Sequence, residues 1–369
     1  MNHKLNLPTN VAIVHGQLNH GGSERQLYMF LQQCDHRRWQ PHLYLSGELG
    51  VWEAAIRALG VPITLLQGTA IQKMWQFRRL CQAQQAQCFF SWSSYTNGYA
   101  LALAGLGIPR IGSVRNALFV DLPARHRWFW SWLSLAGLST VVCNSPETLA
   151  GLQKVVGQRK RLVYVPNGVQ AIPDGALQRS AWRQRLAIDQ EAVLVVGVGR
   201  LTAQKNFARF IEAIVLVNRT VDQTQPVYAV IAGPDMGLKA QLQQQIAAAN
   251  LAPDQIRLIG PVPDARTLIC AADIFMLSSD FEGMPNVVLE AMSAGVPCVS
   301  THVNGIDEII QQGVQGYITE HSPAALAAAL LKLARDPALR LAMGNNAQAR
   351  ISSEYDPGTV YRRLWELCT

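Results

Sequence analysis

The chain reads as an α/β protein made of two doubly wound, Rossmann-like halves. Three observations carry that expectation. Short apolar runs alternate with helical patterns along all 369 residues. The length exceeds what a single ordinary core accommodates. The alternation also halts once, at Pro166-Asn167-Gly168-Val169 and the linker-like Ala171-Ile172-Pro173-Asp174-Gly175, before starting again. Strands that alternate with helices belong to parallel sheets covered on both faces. The expected domains are residues 1–172 and 173–354, with a last helix, about 355–369, packing back on the first. Two such domains facing each other enclose a cleft at the carboxyl ends of their strands, where ligands bind in such sheets.

Val11–Val14 is the first expected strand. Ser23–Gln33 follows with helical spacing, Leu27, Phe30 and Leu31 on one side and Ser23 as N-cap. Pro41–Leu45 is a strand and Val51–Leu59 a helix; Pro62–Leu66, Cys88–Ser91, Arg110–Val114, Thr140–Cys143 and Leu162–Val165 are further strands. The longest uncharged stretch, Trp128 to Pro146, is interrupted by Ser residues and is marginal for a membrane span. It reads as a buried helix feeding the strand Thr140–Cys143. The second series of strands is Ala192–Val198, Val227–Ala232, Gln255–Ile259, Ile274–Leu277 and Pro297–Ser300, with Gly316-Tyr317-Ile318 as a short edge. Helices Pro323–Arg335, Pro337–Glu354 and Tyr361–Leu367 close the chain.

Hydrophobic residues make up 49% and charged residues 15%, which excludes a disordered chain. The net charge of +7 is consistent with an anionic ligand, an anionic membrane surface or nucleic acid. No dense Lys/Arg run or basic–aromatic module supports nucleic acid. Seven widely spaced cysteines without a C-x-x-C read as buried, reduced thiols, hence a cytoplasmic protein. The sequon Asn218-Arg219-Thr220 is idle in that compartment. The polar opening, Met1 to Asn10, does not read as a signal peptide.

Three motifs carry chemistry. The loop Gly199-Arg200-Leu201-Thr202-Ala203-Gln204-Lys205-Asn206 follows a strand and precedes a helix. Its two cations suit a pyrophosphate, Arg200 as a fork and Lys205 as a point charge, although a solvated loop with two surface cations reads equally well. His20-Gly21-Gly22-Ser23-Glu24 follows the first strand and lets backbone approach a ligand, or merely caps a helix; it is not G-x-G-x-x-G, so a dinucleotide fingerprint is missing. The third runs from Asp280 through Glu282, Gly283, Met284, Pro285, Asn286 and Val287 to Glu290 and Met292. Here a strand ends, a loop presents an acid, and a helix starts with backbone N–H groups that suit an anion. Glu290, framed by Val287-Val288-Leu289 and Ala291-Met292, is costly there unless bonded. His15, His20 and His302 read as loop residues.

In this order the motifs resemble the retaining GT-B glycosyltransferases of glycosyltransferase family 4, over nearly the whole chain. Gly199–Asn206 is similar to that family's G-R-L-x-x-x-K-N, and Glu282 to Glu290 to its E-x7-E, continued by Ala294-Gly295-Val296-Pro297 and Val303-Asn304-Gly305. Val165–Val169 and Asn144-Ser145 resemble its first-domain motifs. The resemblance implies a nucleotide-sugar donor in the second domain: Arg200 and Lys205 on the diphosphate, Glu290 on the ribose and Glu282 on the sugar. It also implies backbone from Gly283 to Val287 at the helix start and Leu258, beside Arg257, at the base. Gly21 and Gly22 would close over the phosphates from the first domain. It implies no cofactor and no divalent metal, in keeping with the missing Asp-x-Asp. Two departures stand out. Many members carry a His where this chain has Arg115 and Asn116, which could meet phosphate or sugar or act as a cap. Val303-Asn304-Gly305 replaces V-G-G.

The implied acceptor is a glycan or lipid-linked glycan, in cell-surface polysaccharide or glycoconjugate synthesis. Arg125-His126-Arg127-Trp128-Phe129-Trp130-Ser131-Trp132 reads either as a core helix with a basic flank or as a patch that docks on the anionic inner face of the membrane. A non-catalytic sugar-nucleotide-binding or assembly protein and a nucleotide-sugar epimerase are the competing readings; the intact acid pair and the basic loop argue against both.

Overall fold

Runs of apolar residues without polar alternation are what a strand buried on both faces requires, and both sheets here are of that kind. The computed structural model describes residues 7–19, 21–116, 118–120, 122–221 and 226–369. It divides into two units, one of residues 1–168 with Pro357–Thr369 and one of Val169–Asp356.

The first unit holds β1 (Thr9–His15), β2 (Trp39–Leu45), β3 (Ile63–Leu65), β4 (Cys88–Ser91), β5 (Arg110–Val114), β6 (Thr140–Cys143) and β7 (Arg161–Tyr164). They form one parallel sheet in the order β3-β2-β1-β4-β5-β6-β7. Successive residues feed opposite cores. Val11, Ile13 and Phe90 pack on one face with Phe30 and Trp365; Ala12, Val14 and Phe89 pack on the other with Phe77 and Leu135. The helix Pro357–Trp365 docks here. Trp365 stacks on Phe30 at 4.2 Å and its Nε1 donates to the Phe30 carbonyl at 2.9 Å. Tyr361 donates its hydroxyl to Gln26, whose amide nitrogen donates to the Gly168 carbonyl at 2.9 Å.

The second unit holds β8 (Leu194–Val198), β9 (Tyr228–Ala232), β10 (Ile256–Gly260), β11 (Ile274–Leu277), β12 (Cys298–Thr301) and β13 (Gly316–Thr319), all parallel, in the order β10-β9-β8-β11-β12-β13. Leu194, Val196 and Phe275 face one core; Val195, Ile274 and Met276 face the other.

Two expectations about local structure fail. The helix Arg127–Ala136 is not buried: Trp128 is 74%, Trp132 62%, Phe129 40% and Trp130 38% exposed. Only Ser134 and Leu135 of it are buried, because its narrow inner face meets the 3-10 segment Ser94–Leu103. Ser23 does not cap the helix Gly22–Gln32. Gly21 does so in an extended conformation, and Ser23 lies inside the first turn with its carbonyl accepting from Trp92 Nε1 at 3.0 Å.

Candidate active site

A doubly wound sheet opens a crevice at the carboxyl ends of its strands, where the winding reverses. In the second unit that point lies between β8 and β11, since the chain winds outward through β9 and β10 on one side and through β12 and β13 on the other. The loop Gly199–Asn206 leaves β8, and residues 278–285 leave β11.

These loops are tied to one another by their own polar groups. Asp280 N–H donates to the Gln204 carbonyl at 2.8 Å, and Gln204 Nε2 to the Phe281 carbonyl at 2.9 Å. Ser278 Oγ donates to the Lys205 carbonyl at 2.9 Å. Arg209 reaches back to the Ser278 carbonyl at 2.8 Å and pairs with Asp280 at 2.7 Å. Asn206 explains itself locally. It adopts φ +45°, which Asn tolerates, and its side chain caps the helix Phe207–Asn218 by accepting from Arg209 N–H. Glycine at 233 lets the end of β9 press on this loop, for a Cβ there would stand 1.8 Å from the Gly199 carbonyl oxygen.

The network brings Lys205 to Glu282, Nζ to Oε1, at 2.6 Å. Glu282 also accepts from Ser279 Oγ at 2.6 Å, and the Ser279 carbonyl accepts from Thr301 Oγ1 at 2.6 Å. Both charged side chains are mostly buried, 15% and 11% exposed, so their attraction is little screened. Gly283, Met284 and Pro285 are buried beside them, and Asn286 and Val287, half-buried, open the helix Asn286–Ser293. Pro285 gives that helix no side-chain cap. Glu290 lies one turn in, buried; the hydrogen bond to Asp264 raises the pKa of Arg266 against its burial, and the charges of Asp264 and Glu290 add to the rise. Arg200 is exposed at the start of the same loop as Lys205 and makes no ion pair among the described residues. Leu258 is half-buried on β10, two strands from β8.

The first unit has its own reversal between β1 and β4. His15 belongs here and not to a loop. It ends β1, is 1% exposed, and lies 2.8 Å through Nδ1 from Ser93 Oγ and 3.4 Å through Nε2 from Glu24. A Cβ on Gly21 would fall 2.1 Å from the Glu24 carboxylate, so the glycine leaves that carboxylate its place. Gly22 opens the helix. His20 lies outside the described residues. Arg115, at the end of β5, stacks over Trp92 at 3.7 Å and donates through Nη1 to Asn167 at 3.2 Å. Its Nε and Nη2 find no partner, and burial lowers its pKa to about 10. Asn116 offers its carbonyl to Thr148 Oγ1 at 3.4 Å. His302 is an exposed loop residue 2.9 Å from Asp307.

Sequence reasoning missed Ser279, Arg209, Ser93 and Trp92, and gave no partner to Asp280 and Glu24 within their motifs. Ser279 could have been found, standing three positions before Glu282. Ser93 could not, being 78 positions from His15.

Two family profiles cover the chain consecutively, Glycosyltransferase Family 4 over residues 20–171 and Glycosyl transferases group 1 over residues 178–350. The chain belongs to glycosyltransferase family 4, group 1. The amylovoran biosynthesis glycosyltransferase AmsK of Erwinia amylovora is 34% identical over 182 residues, 47% of this chain and 44% of that protein. The lipopolysaccharide core biosynthesis glycosyltransferase LpsD of Rhizobium meliloti is 25% identical over 82% of this chain and 78% of its own length. The match thus takes in under half of AmsK and more than three quarters of LpsD. Among solved structures, Anabaena HepE in complex with UDP and glucose superposes with a TM-score of 0.83 at 20% identity, covering 97% of this chain and 98% of that one. This family 4 chain therefore has the GT-B fold.

Proposed function

We propose that this chain transfers a sugar, with retention of anomeric configuration, from a nucleotide-sugar donor to a glycan or lipid-linked glycan acceptor. The single observation that carries the reading is the Lys205–Glu282 pair beside an uncapped helix start at the β8/β11 reversal. A cation, a carboxylate and helix-start amides together suit a diphosphate joined to a hydroxyl-rich group.

In this reading Lys205 leaves Glu282 for the donor diphosphate and Arg200 joins it. As the anomeric C–O bond breaks, negative charge gathers on the departing phosphate and those cations stabilise it. The reaction then needs no divalent ion. Glu282, released, faces the transferred sugar; Glu290 accepts from the ribose hydroxyls; Leu258 lies toward the base; the amides from Gly283 to Val287 bind phosphate oxygen. A leaving phosphate oxygen takes the acceptor's proton on the front face. Gly21, Gly22, Arg115 and Asn116 are the first unit's own binding residues in this reading. The relatives' printed roles in amylovoran and lipopolysaccharide core synthesis support a cell-surface glycan as product.

A thermal-shift screen against UDP-, GDP- and ADP-sugars tests the donor, since a ligand of the folded state raises its melting point. One class should stabilise the wild type. A product assay with that donor and EDTA then tests transfer. Silence with every donor would sink the reading and favour an assembly protein; isomerisation of the donor without acceptor would favour an epimerase.

A further inference from the structure

We propose that the Glu24 carboxylate, positioned by His15 and Ser93, binds a hydroxyl of the acceptor sugar, a role that rests on the transfer reading of this chain. The three residues meet at the reversal between β1 and β4, where a doubly wound sheet takes its ligands. Ser93 Oγ stands 2.8 Å from His15 Nδ1, and Glu24 Oε1 3.4 Å from His15 Nε2. With the Ser93 hydroxyl donating to Nδ1, the ring proton lies on Nε2 and points at Glu24. His15 and Ser93 are buried, so the ring is held in place. Glu24 is buried too, yet this long contact is the one hydrogen bond of its side chain among the described residues. A carboxylate has room for about four donors, and a buried one left short of them is costly. Its second oxygen lies over Gly21, where a Cβ would come within 2.1 Å. Gly21 and Gly22 are exposed, so no Cβ shields that oxygen there.

Charge and shape select the ligand. A carboxylate repels phosphate and accepts from hydroxyls, so the group it takes is neutral and hydroxyl-bearing. Tyr95 supplies the other half of a sugar site. It is 48% exposed, its ring lies 6.3 Å from that of His15, and it covers Gly16, where a Cβ would stand 2.3 Å from the Tyr95 hydroxyl. An aromatic face beside a hydroxyl acceptor suits a pyranose, C–H face on the ring and hydroxyls on the acid. In the transfer reading the donor's hydroxyls go to Glu282 and Glu290 of the second unit, which leaves Glu24 for the acceptor.

Saturation-transfer NMR with the methyl α-glycosides of glucose, galactose and mannose, and with N-acetylglucosamine, tests this. At least one should take saturation from the wild type, and Glu24→Gln should weaken that sugar about fivefold or more, as should Tyr95→Ala. A glutamine side chain places its amide where Nε2 stands, an asparagine where Nδ1 stands. His15→Gln, which still donates to Glu24, should therefore keep the sugar, and His15→Asn, which serves only Ser93, should lose about the same factor as Glu24→Gln. The donor-induced thermal shift should persist in every variant, which separates lost acceptor binding from misfolding. A donor shift in a wild type that binds none of these sugars, or a Glu24→Gln variant that binds them as well as wild type, would overturn the role of Glu24 alone. So would tighter nucleotide-sugar binding by Glu24→Gln with the sugars unaffected, the mark of a phosphate at Gly21. Absence of any donor shift in the wild type would overturn the transfer reading, and the acceptor role with it.

Discussion

The Lys205 ammonium and the Glu282 carboxylate, 77 positions apart, meet at 2.6 Å and bind the loop after β8 to the loop after β11. The pair also sets a condition on any anion that enters: it shares the Lys205 ammonium, which has three donors, with Glu282 or displaces that carboxylate. A mostly buried carboxylate that loses its cation is costly unless it gains hydrogen bonds, and Ser279 already supplies one.

That coupling makes Glu282 the first residue to change. Glu282→Gln keeps the shape and removes the charge. Turnover should fall at least a hundredfold, about 2.7 kcal/mol of barrier, with the melting temperature within a few degrees of wild type. Ser279→Ala, which only frees the carboxylate, should cost about tenfold. Steady-state kinetics with the donor from the screen decide it; a Glu282→Gln enzyme within threefold of wild type would count against the assigned role.

Gly233→Ala tests the packing beneath the same loop. A methyl 1.8 Å from the Gly199 carbonyl must displace backbone on one side or the other. Destabilisation of about 2–4 kcal/mol is expected, read by urea unfolding, together with weaker donor binding because the Gly199–Asn206 loop moves. Unchanged stability would mean that β9 yields freely.

Arg115 offers the opposite sign. Its Nε and Nη2 are buried without partners, so the side chain is poorly compensated in the free protein. Arg115→Met keeps the stacking volume over Trp92 and should leave the melting temperature equal or higher while lowering turnover. Arg115→Lys should not restore turnover, because an ammonium lacks the planar fork. A fall in stability for Arg115→Met, measured by calorimetry, would make the residue a structural one.

The thiols give a pH prediction. Burial raises the pKa of Cys81 and Cys143 to about 12, and burial with the charge of Asp35 does the same for Cys34. The folded state therefore holds protons that the unfolded chain releases at about pH 9. Stability from these groups is complete below that pH and is lost as pH rises from about 9 to about 12. Native protein at pH 8 should react slowly with a thiol reagent, and denaturant should expose all seven cysteines. Rapid labelling of several thiols in the native state would contradict the burial described.

Much of this molecule was legible in its order of residues. Cys88–Ser91, Arg110–Val114, Thr140–Cys143 and Ile274–Leu277 are strands with the expected ends, because apolar runs between turn residues have few other uses. Pro323–Arg335 and Pro337–Glu354 likewise start at proline after a capping Ser322 and Asp336. His15 was misread because one polar residue at a strand's end looks like the start of a loop, and only Ser93 and Glu24 give it buried partners. The helix Arg127–Ala136 was misread because an uncharged aromatic segment has the same composition in a core as on a surface; which face is covered depends on the 3-10 segment beside it.

By itself, then, the sequence determined the family, the strand–helix alternation and the residue types of the donor loops, since these depend on local pattern and spacing. The tertiary structure decided the partnerships. Lys205 found Glu282 because β8 and β11 are neighbours at the reversal of the winding, a pairing that no local pattern specifies. It also left Arg115 with an unsatisfied fork and the four aromatics in water, because burial is a property of the packed chain and not of any one segment.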